Sequence, residues 1–403
     1  MSSSSLVLYC LNSGSVRLLA IASMFIRGKS SYNSYNLRFR IYLDGRNSPI
    51  LSENEKRIKE LCQELGQCLY EQSQVEKFNN LAEIEETVRD LMIGVCQPRN
   101  RYFFVKTSTG ETAGRTRKVK SILGELPITE KQAKKLEVKP RTQMSPMLEK
   151  NCLLLSGDES YEKSAQKIKS LTGIAVSHST QQRLVHRYAF EELPSNPEVE
   201  VEEMSIDGGK VRLRTAKGKA LIWRDYKAVS FHQLGVAAFF QDNSALLDLV
   251  NSQVLAEPLI CLGDGHDGIW NLFGQIGEKQ ERIEILDWYH LIENLYKVGG
   301  SFQRIDEVKC FLWKGEVDAA ISCFEGWSEP QVENFIIYLN KHKHRIVNYG
   351  YLQAEGISIG SGSVESKIKQ IAPSLKITGA SWESGNVPQV LRHRSAYLNG
   401  CLF

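Results

Sequence analysis

Beyond residue 200 the chain alternates strand-like with helix-like runs, and two of the strand-like runs stop at an aspartate next to glycine. Alternating apolar residues lead into Asp207, which Gly208 and Gly209 follow. The apolar run 259–262 is closed by the stretch around Asp264, which has a glycine on each side. Each pattern predicts a strand that ends in a carboxylate, with a turn behind it. Such a chain is typical of an α/β layer fold with acids at its strand ends.

A third acid, Glu365, lies in the first turn of a helix predicted over 363–371. We expect Asp207, Asp264 and Glu365 to meet and to hold two Mg²⁺ (or Mn²⁺) ions, because hard cations prefer carboxylate oxygens. Paired metal ions suit in-line attack on a phosphodiester, since charge develops on both the attacking and the leaving oxygen. Each acid also has a simpler interpretation: the aspartates as turn residues, the glutamate as a helix cap.

Two further polar groups lie close to these acids in sequence. His290 follows the predicted strand 282–287 and is a candidate catalytic residue, either bonding near the site or positioning DNA. Packing beside Trp288 explains His290 equally well. Asp267 is the rival of Asp264 as a metal ligand. Asp264 is preferred because it ends the strand, whereas Asp267 falls inside the next predicted helix.

The region before residue 190 is basic. From Arg101 to Arg187 there are 17 Lys and Arg residues against 8 Asp and Glu, although the whole chain has a net charge of only +3. Residues 101–122 predict a β-hairpin that turns near Gly110. Its second arm carries the predicted phosphate contacts: Arg115, Arg117, Lys118 and Lys120. The alternative is a solvated face of a basic element.

Residues 142–192 predict a helix-turn-helix. An amphipathic helix ends at Gly173, and a polar second helix follows with Ser177 as an available N-cap. Glutamine and arginine side chains can make bidentate contacts to base edges in the major groove of DNA. The predicted DNA-binding residues of this helix are Gln181, Gln182, Arg183 and Arg187. An ordinary helical hairpin remains the alternative.

Length and composition bound the organisation of the 403-residue chain. We expect a poorly ordered leader (1–50), a helical segment with the basic hairpin (51–141), the helix-turn-helix region (142–192) and an α/β catalytic domain (200–403) with a helical insertion at about 300–352. Nine cysteines without a C-x-x-C pair indicate reduced thiols and no zinc site. No apolar window reaches the ~20 residues of a membrane span, and the short apolar run after Arg17 lacks the basic flank of a signal peptide.

Five motifs together resemble bacterial insertion-sequence transposases of the ISKra type, relatives of the Mutator-like DDE transposases. They are Ser-Ile-Asp-Gly-Gly, Leu-Gly-Asp-Gly-His-Asp-Gly-Ile-Trp-Asn, Ile-Leu-Asp-Trp-Tyr-His, Ser-Gly-Ser-Val-Glu-Ser-Lys and Lys-Ile-Thr-Gly-Ala-Ser-Trp. The resemblance implies a ribonuclease H-like core with an α-helical insertion between the second aspartate and the glutamate. The family's acids fall on Asp207, Asp264 and Glu365, and its Asp-x-x-His falls on Asp287 and His290.

The same resemblance implies metal-dependent DNA cleavage and strand transfer by a homo-oligomer that holds terminal inverted repeats and target DNA, in the bacterial cytoplasm at the nucleoid, with no membrane partner. Relatives often carry a cysteine-rich zinc ribbon, whereas the matching region here has only Cys96. A catalytically inactive or domesticated DNA-binding relative is therefore the alternative. A metal-dependent phosphatase is a third possibility, since the residues after Asp264 faintly resemble acidic phosphatase metal sites.

Overall fold

The structure, a computed structural model, describes residues 9–13, 16–20, 52–73, 80–193, 198–232, 234–360, 370–372, 375 and 380–402. The chain divides into two compact units, Met1–Val88 and Arg89–Phe403. The first holds an antiparallel pair, β1 (Tyr9–Ser13) and β2 (Val16–Ala20), followed by α1 (Glu53–Glu71) and most of α2 (Leu81–Leu91). Both strands lie within the leader, for which the sequence predicts no fold. No helix in the described ranges is both long and apolar enough to cross a bilayer.

The predicted hairpin over 101–122 is wrong in its first arm. A π-helical turn (Met92–Cys96) leads α2 into α3 (Gln97–Thr109), and Gly110 caps α3 in the left-handed conformation. The glycine that suggested a hairpin turn is thus a helix C-cap. The second arm is a strand, β3 (Thr116–Ser121), which pairs with β4 (Gly124–Thr129) across a two-residue turn and precedes α4 (Glu130–Lys135).

Three helices follow: α5 (Pro146–Asp158), α6 (Tyr161–Thr172) and α7 (His178–Arg187). Gly173 ends α6 in the left-handed conformation and the Ser177 hydroxyl accepts from the Thr180 amide at the start of α7. The predicted pair of helices around a glycine turn is therefore confirmed. These helices share a buried apolar core: Met144, Leu148, Cys152, Leu153, Ile168, Ile174, Val176, Leu184 and Val185.

Residues beyond 200 form a mixed α/β layer around a five-stranded sheet. Its strands are β5 (Val201–Leu213), β6 (Ile222–Phe231), β7 (Gly235–Phe240), β8 (Leu255–Gly263) and β9 (Arg282–Leu286), in the order β7-β6-β5-β8-β9. β5, β6 and β7 form an antiparallel meander, whereas β8 and β9 run parallel to β5. The carboxyl ends of β8 and β9 therefore lie level with the middle of β5.

The sequence misplaced two strand boundaries in this sheet. Asp207 does not end a strand, because β5 continues through Gly208 and Gly209 to Leu213. A Cβ at Gly209 would lie 2.6 Å from the Tyr226 hydroxyl oxygen, so glycine here admits the aromatic ring across the strand. Residues 230–240, whose apolar pattern by itself predicts one strand, belong to two strands, since the chain reverses between Phe231 and Gly235.

The helices of this layer follow the sequence more closely. α8 (Asn243–Asn251), α9 (Asp267–Phe273) and α10 (Trp288–Val298) lie where amphipathic runs predict them. The predicted insertion is helical as well: α11 (Phe302–Trp313), α12 (Val317–Ser322), α13 (Pro330–His342) and α14 (Tyr349–Ala354). Its apolar side chains join the main core of the sheet, and the Tyr349 hydroxyl donates to the carbonyl of Leu286.

The last helix, α15 (Val387–Leu398), joins the helix-turn-helix region to the sheet. Its apolar side packs with Val236 and Ala238 of β7. His393 is buried, contacts the Leu153 carbonyl of α5 through Nε2 at 2.9 Å and stacks on Phe190. Two regions that the sequence treats as separate domains therefore share a buried interface.

Two buried histidines predict an acid-sensitive fold. Burial lowers the pKa of both His393 and His342 from 6.5 to about 4. Between these values the unfolded chain binds more protons than the folded one, so stability is full above pH 6.5 and is lost as pH falls toward 4. The loss is about 3 kcal/mol for each histidine. We expect urea unfolding to show a shallower pH dependence in His393→Gln, whereas exposed His178→Gln should match the wild type; equal slopes in all three proteins would contradict the assignment.

Candidate active site

Three aspartates occupy one row across adjacent strands. Ile206 of β5 is in register with Gly263 of β8, which is in register with Leu286 of β9. The next residue on each strand is an aspartate: Asp207, Asp264 and Asp287. The Asp287 amide donates to the Gly263 carbonyl at 2.8 Å, which extends the ladder to this row. Since neighbouring strands lie about 4.8 Å apart, the sheet brings the three backbones together.

Asp207 lies in the middle of β5 and is half-buried. Its Oδ1 accepts a bond of 2.6 Å from the Gly208 amide. Burial and the charge of Asp207 raise the pKa of Tyr226 to about 12. Asp207 is in register with Ala228 and Gly209 with Tyr226, so the side chain of Asp207 lies on the face of the sheet that carries the Tyr226 ring.

Asp264 follows β8 in a tight turn. Its Oδ1 accepts from the His266 amide at 2.8 Å, which fixes the carboxylate against the backbone. The carboxylate lines a groove of about 780 Å³ together with Lys210, Lys227 and His266. The Lys227 ammonium donates to the Gly268 carbonyl at 2.7 Å, and burial lowers its pKa despite the nearby charge of Asp264. Lys227 was missed from the sequence because β6 was not predicted at its position.

Asp287 caps α10 and is only 2% exposed. Its Oδ1 accepts from the His290 amide at 2.9 Å and lies 3.4 Å from the imidazole Nδ1 of His290. The segment before residue 361 runs beside it: the Trp288 amide donates to the Ile359 carbonyl, and a Cβ on Gly360 would lie 3.4 Å from Asp287 Oδ2. Asp287 thus caps the helix that carries His290, and the catalytic role of His290 remains a prediction.

Glu365 and the motif around it lie outside the described residues. On the far side of that stretch, Ile371 packs with Val211, Tyr226 and Ala228 on the Asp207 face of the sheet. Within the described part of the chain, no group of three or more His, Cys, Asp or Glu side chains is placed to hold a metal ion. The convergence of Asp207, Asp264 and Glu365 therefore stays a prediction.

Asp267, the rival ligand, is turned to the surface. It is the first residue of α9, and its carboxylate pairs with Lys341 of α13 at 2.5 Å. The hydrogen bond from Lys341 lowers the pKa of Asp267. Asp267 is therefore a weaker candidate metal ligand than Asp264, because its carboxylate is exposed and already paired with an ammonium group.

Tyr338 of α13 was also missed as a neighbour of the site. A Cβ added at Gly265 would overlap its ring, so the insertion packs directly on the turn that holds Asp264. The sequence gives no sign of this contact, since Tyr338 is one of many aromatic residues in the insertion.

We expect Gly265→Ala to destabilise the protein by about 1–3 kcal/mol, the usual cost of overpacking, and to slow any reaction that uses Asp264. Gly385→Ala is the control, because nothing lies within 4 Å of a Cβ there. Thermal unfolding of both variants measures the difference. Equal melting temperatures would contradict the contact with Tyr338.

The predicted DNA contacts lie around β3 and α7. Arg115, directly before β3, and Lys118 on β3 are exposed, and Lys118 pairs with Glu125. The Arg117 guanidinium donates to the Thr142 carbonyl and the Lys120 ammonium to the Ala175 carbonyl. On α7, Arg183 is exposed and Gln182 is half-buried. Arg187 pairs with Glu149 at 2.7 Å.

The prediction that Gln181 faces a DNA groove is wrong. Gln181 is fully buried, and its Oε1 accepts from the Ser164 hydroxyl at 2.5 Å. The helical period of α7 turns this glutamine toward α6, together with Leu184 and Val185. Gln181 therefore fixes the angle between two helices and cannot reach a base.

No protein-family model matches the chain, and no curated protein matches it either.

Proposed function

We propose that the chain is a DDE transposase that cleaves DNA and transfers strands with the help of divalent metal ions. The observation that carries this proposal is the row of Asp207, Asp264 and Asp287 across β5, β8 and β9. Such a row collects acids from distant parts of the chain, which is what a phosphodiester-cutting centre needs.

The sheet supports a ribonuclease H-like core as part of the proposal. Three antiparallel strands, then a helix and further strands with acids at strand ends, match a ribonuclease H-like layer arrangement. The antiparallel meander β5–β7, followed by the parallel strands β8 and β9, agrees with that expectation. A helical insertion between Asp264 and Glu365 is also expected, and α11–α14 occupy that interval.

The donor chemistry fits Mg²⁺ or Mn²⁺. Asp207 and Asp264 offer carboxylate oxygens, which these cations prefer, and each has one oxygen oriented by a backbone amide. With Glu365, they would hold two ions. When bound, such ions stabilise charge on the attacking and leaving oxygens of a phosphodiester.

The other residues of the site would position these acids and the substrate. His290, on the helix that Asp287 caps, would act beside the reacting phosphate or orient the DNA strand. Lys227 and Lys210 line the groove next to Asp264 and would attract the phosphates of that strand. The basic region of β3 and α7 would bring DNA to the site. The proposed partners are the terminal inverted repeats of the element and its target DNA. The protein would assemble on this DNA as a homo-oligomer, at the bacterial nucleoid.

A plasmid assay tests the proposal. We expect purified protein with Mg²⁺ to nick supercoiled plasmid that carries the element ends, to join a free 3′-hydroxyl to target DNA, and to stop when EDTA removes the metal. DNA binding without cleavage would favour the domesticated DNA-binding relative instead. Matched inverted repeats in the DNA that flanks the gene would supply the ends to use.

A further inference from the structure

A basic groove of about 790 Å³ lies between β3, α6 and the first turn of α7. We define the basic groove by the five cationic residues along it and by His178: Lys120, Arg141, Lys169, His178, Arg183 and Arg187. Glu162 is the one acidic residue among its described lining. A concave surface with such an excess of one charge concentrates counter-charge and attracts polyanions.

Three internal contacts hold the walls of the basic groove in place. Lys120 of β3 donates to the Ala175 carbonyl in the turn between α6 and α7. Arg187 of α7 pairs with Glu149 of α5. The backbone of β3 also bonds to the chain before α5, since the Lys120 amide donates to the Gln143 carbonyl at 2.7 Å. The hairpin and the three helices thus form one braced surface.

The remaining cations are available to a ligand. Arg141, Lys169 and Arg183 form no ion pair within the described residues, and Lys169 and Arg183 are exposed. The Arg183 guanidinium donates to the Ser179 carbonyl and the Thr180 hydroxyl of its own helix, which hold it on the rim of the groove. Arg141 has a φ of 59°, an uncommon conformation for a residue with a side chain. Three cations from separate elements therefore face the same groove.

The polar groups of the groove suit phosphates better than bases. Ser177, His178 and Thr180 at the start of α7 line it, whereas Gln181, one of the residues expected to read bases, is buried. Hydroxyl groups, ammonium groups and guanidinium groups are the usual donors to the DNA backbone, and such contacts carry no sequence information.

We propose that the basic groove holds the sugar–phosphate backbone of duplex DNA, with Lys169 and Arg183 contacting phosphates independently of sequence. The inference rests on the proposed function for its substrate class. The proposed binding mode differs from that of a base-reading helix-turn-helix. Here the first turn of α7 and Arg183 contact the sugar–phosphate backbone of the DNA.

The test is the salt dependence of binding to a fluorescein-labelled duplex, followed by anisotropy between roughly 50 and 200 mM salt. The logarithm of the binding constant falls as the logarithm of the salt concentration rises, and each lost phosphate contact makes this slope shallower by about 0.9. We expect the double variant Lys169→Gln with Arg183→Gln to make the slope shallower by about 1.8 for each of two unrelated duplex sequences. Lys163→Gln is the matched control, since Lys163 is an exposed lysine of α6 outside the groove.

An unchanged slope in the double variant, with a normal circular dichroism spectrum, would overturn the inference. A loss confined to one duplex sequence would overturn it too, because phosphate contacts ignore sequence. An equal loss in Lys163→Gln would show a diffuse charge effect and would also refute it. Binding is measured without Mg²⁺, so a protein that binds as expected but never cuts DNA refutes the proposed function and leaves the groove assignment standing.

Discussion

Asp264→Asn is expected to abolish Mg²⁺-dependent DNA cleavage and to leave DNA affinity unchanged. Asparagine keeps the side-chain oxygen that accepts from the His266 amide, so the turn after β8 should persist. The substitution removes the negative charge that a metal ion needs. Removing one electrostatic group at a reacting centre costs on the order of 10²–10³ in rate, and a lost metal ligand should cost at least that. The initial rate of plasmid nicking measures the effect.

Asp267→Asn provides the matched control, since it makes the same chemical change three residues along the chain. Its carboxylate is exposed and pairs with Lys341, and exposed ion pairs contribute about 0–1 kcal/mol. We expect Asp267→Asn to cut DNA at close to the wild-type rate. The reverse pattern, with Asp264→Asn active and Asp267→Asn inactive, would move the metal site to α9.

Arg394→Ala should produce the largest loss of stability on α15. The Arg394 guanidinium is buried, donates to the Gly157 carbonyl at 2.6 Å and pairs with Asp158 at 3.0 Å. Its Nε donates to the Gln370 carbonyl at 2.9 Å. Truncation removes the donor to the buried Gly157 carbonyl, so we expect a loss of about 3 kcal/mol. Urea unfolding at pH 7.5 measures it, well above the range in which the buried histidines titrate.

Arg392→Ala is the control for Arg394, because it removes the same side chain from the same helix. Arg392 is exposed and its partner, Glu192, is 70% exposed, so the loss should stay below about 1 kcal/mol. Similar losses in the two variants would mean that Arg394 does not join α15 to α5.

Much of the layer beyond residue 200 could be predicted, because amphipathic helices and apolar strand runs carry a strong periodic signal. β9 lies within a residue of its predicted limits, 282–287. The prediction that a strand ends at Asp207 is wrong. Gly208 and Gly209 by themselves indicate a turn, whereas the contact of Gly209 with Tyr226 arises only when β6 pairs with β5. Pairing between distant strands decides such cases.

The direction in which a side chain points was the second feature that the sequence could not predict. The sequence correctly located α7, yet a polar pattern does not distinguish a glutamine that faces DNA from one that bonds to Ser164. Lys227 and Tyr338 could not be predicted as neighbours of Asp264, because each comes from another element of the fold. The positions of Asp207 and Asp264 next to each other in the sheet follow from strand register, which the sequence alone does not give.

Anomalous diffraction from crystals grown with Mn²⁺ tests the central claim most directly. The proposal predicts anomalous peaks at the carboxylates of Asp207 and Asp264, with Glu365 completing the coordination. Peaks elsewhere, for example at Asp267, or clear density for all three acids with no metal between them, would contradict a DDE centre in this protein.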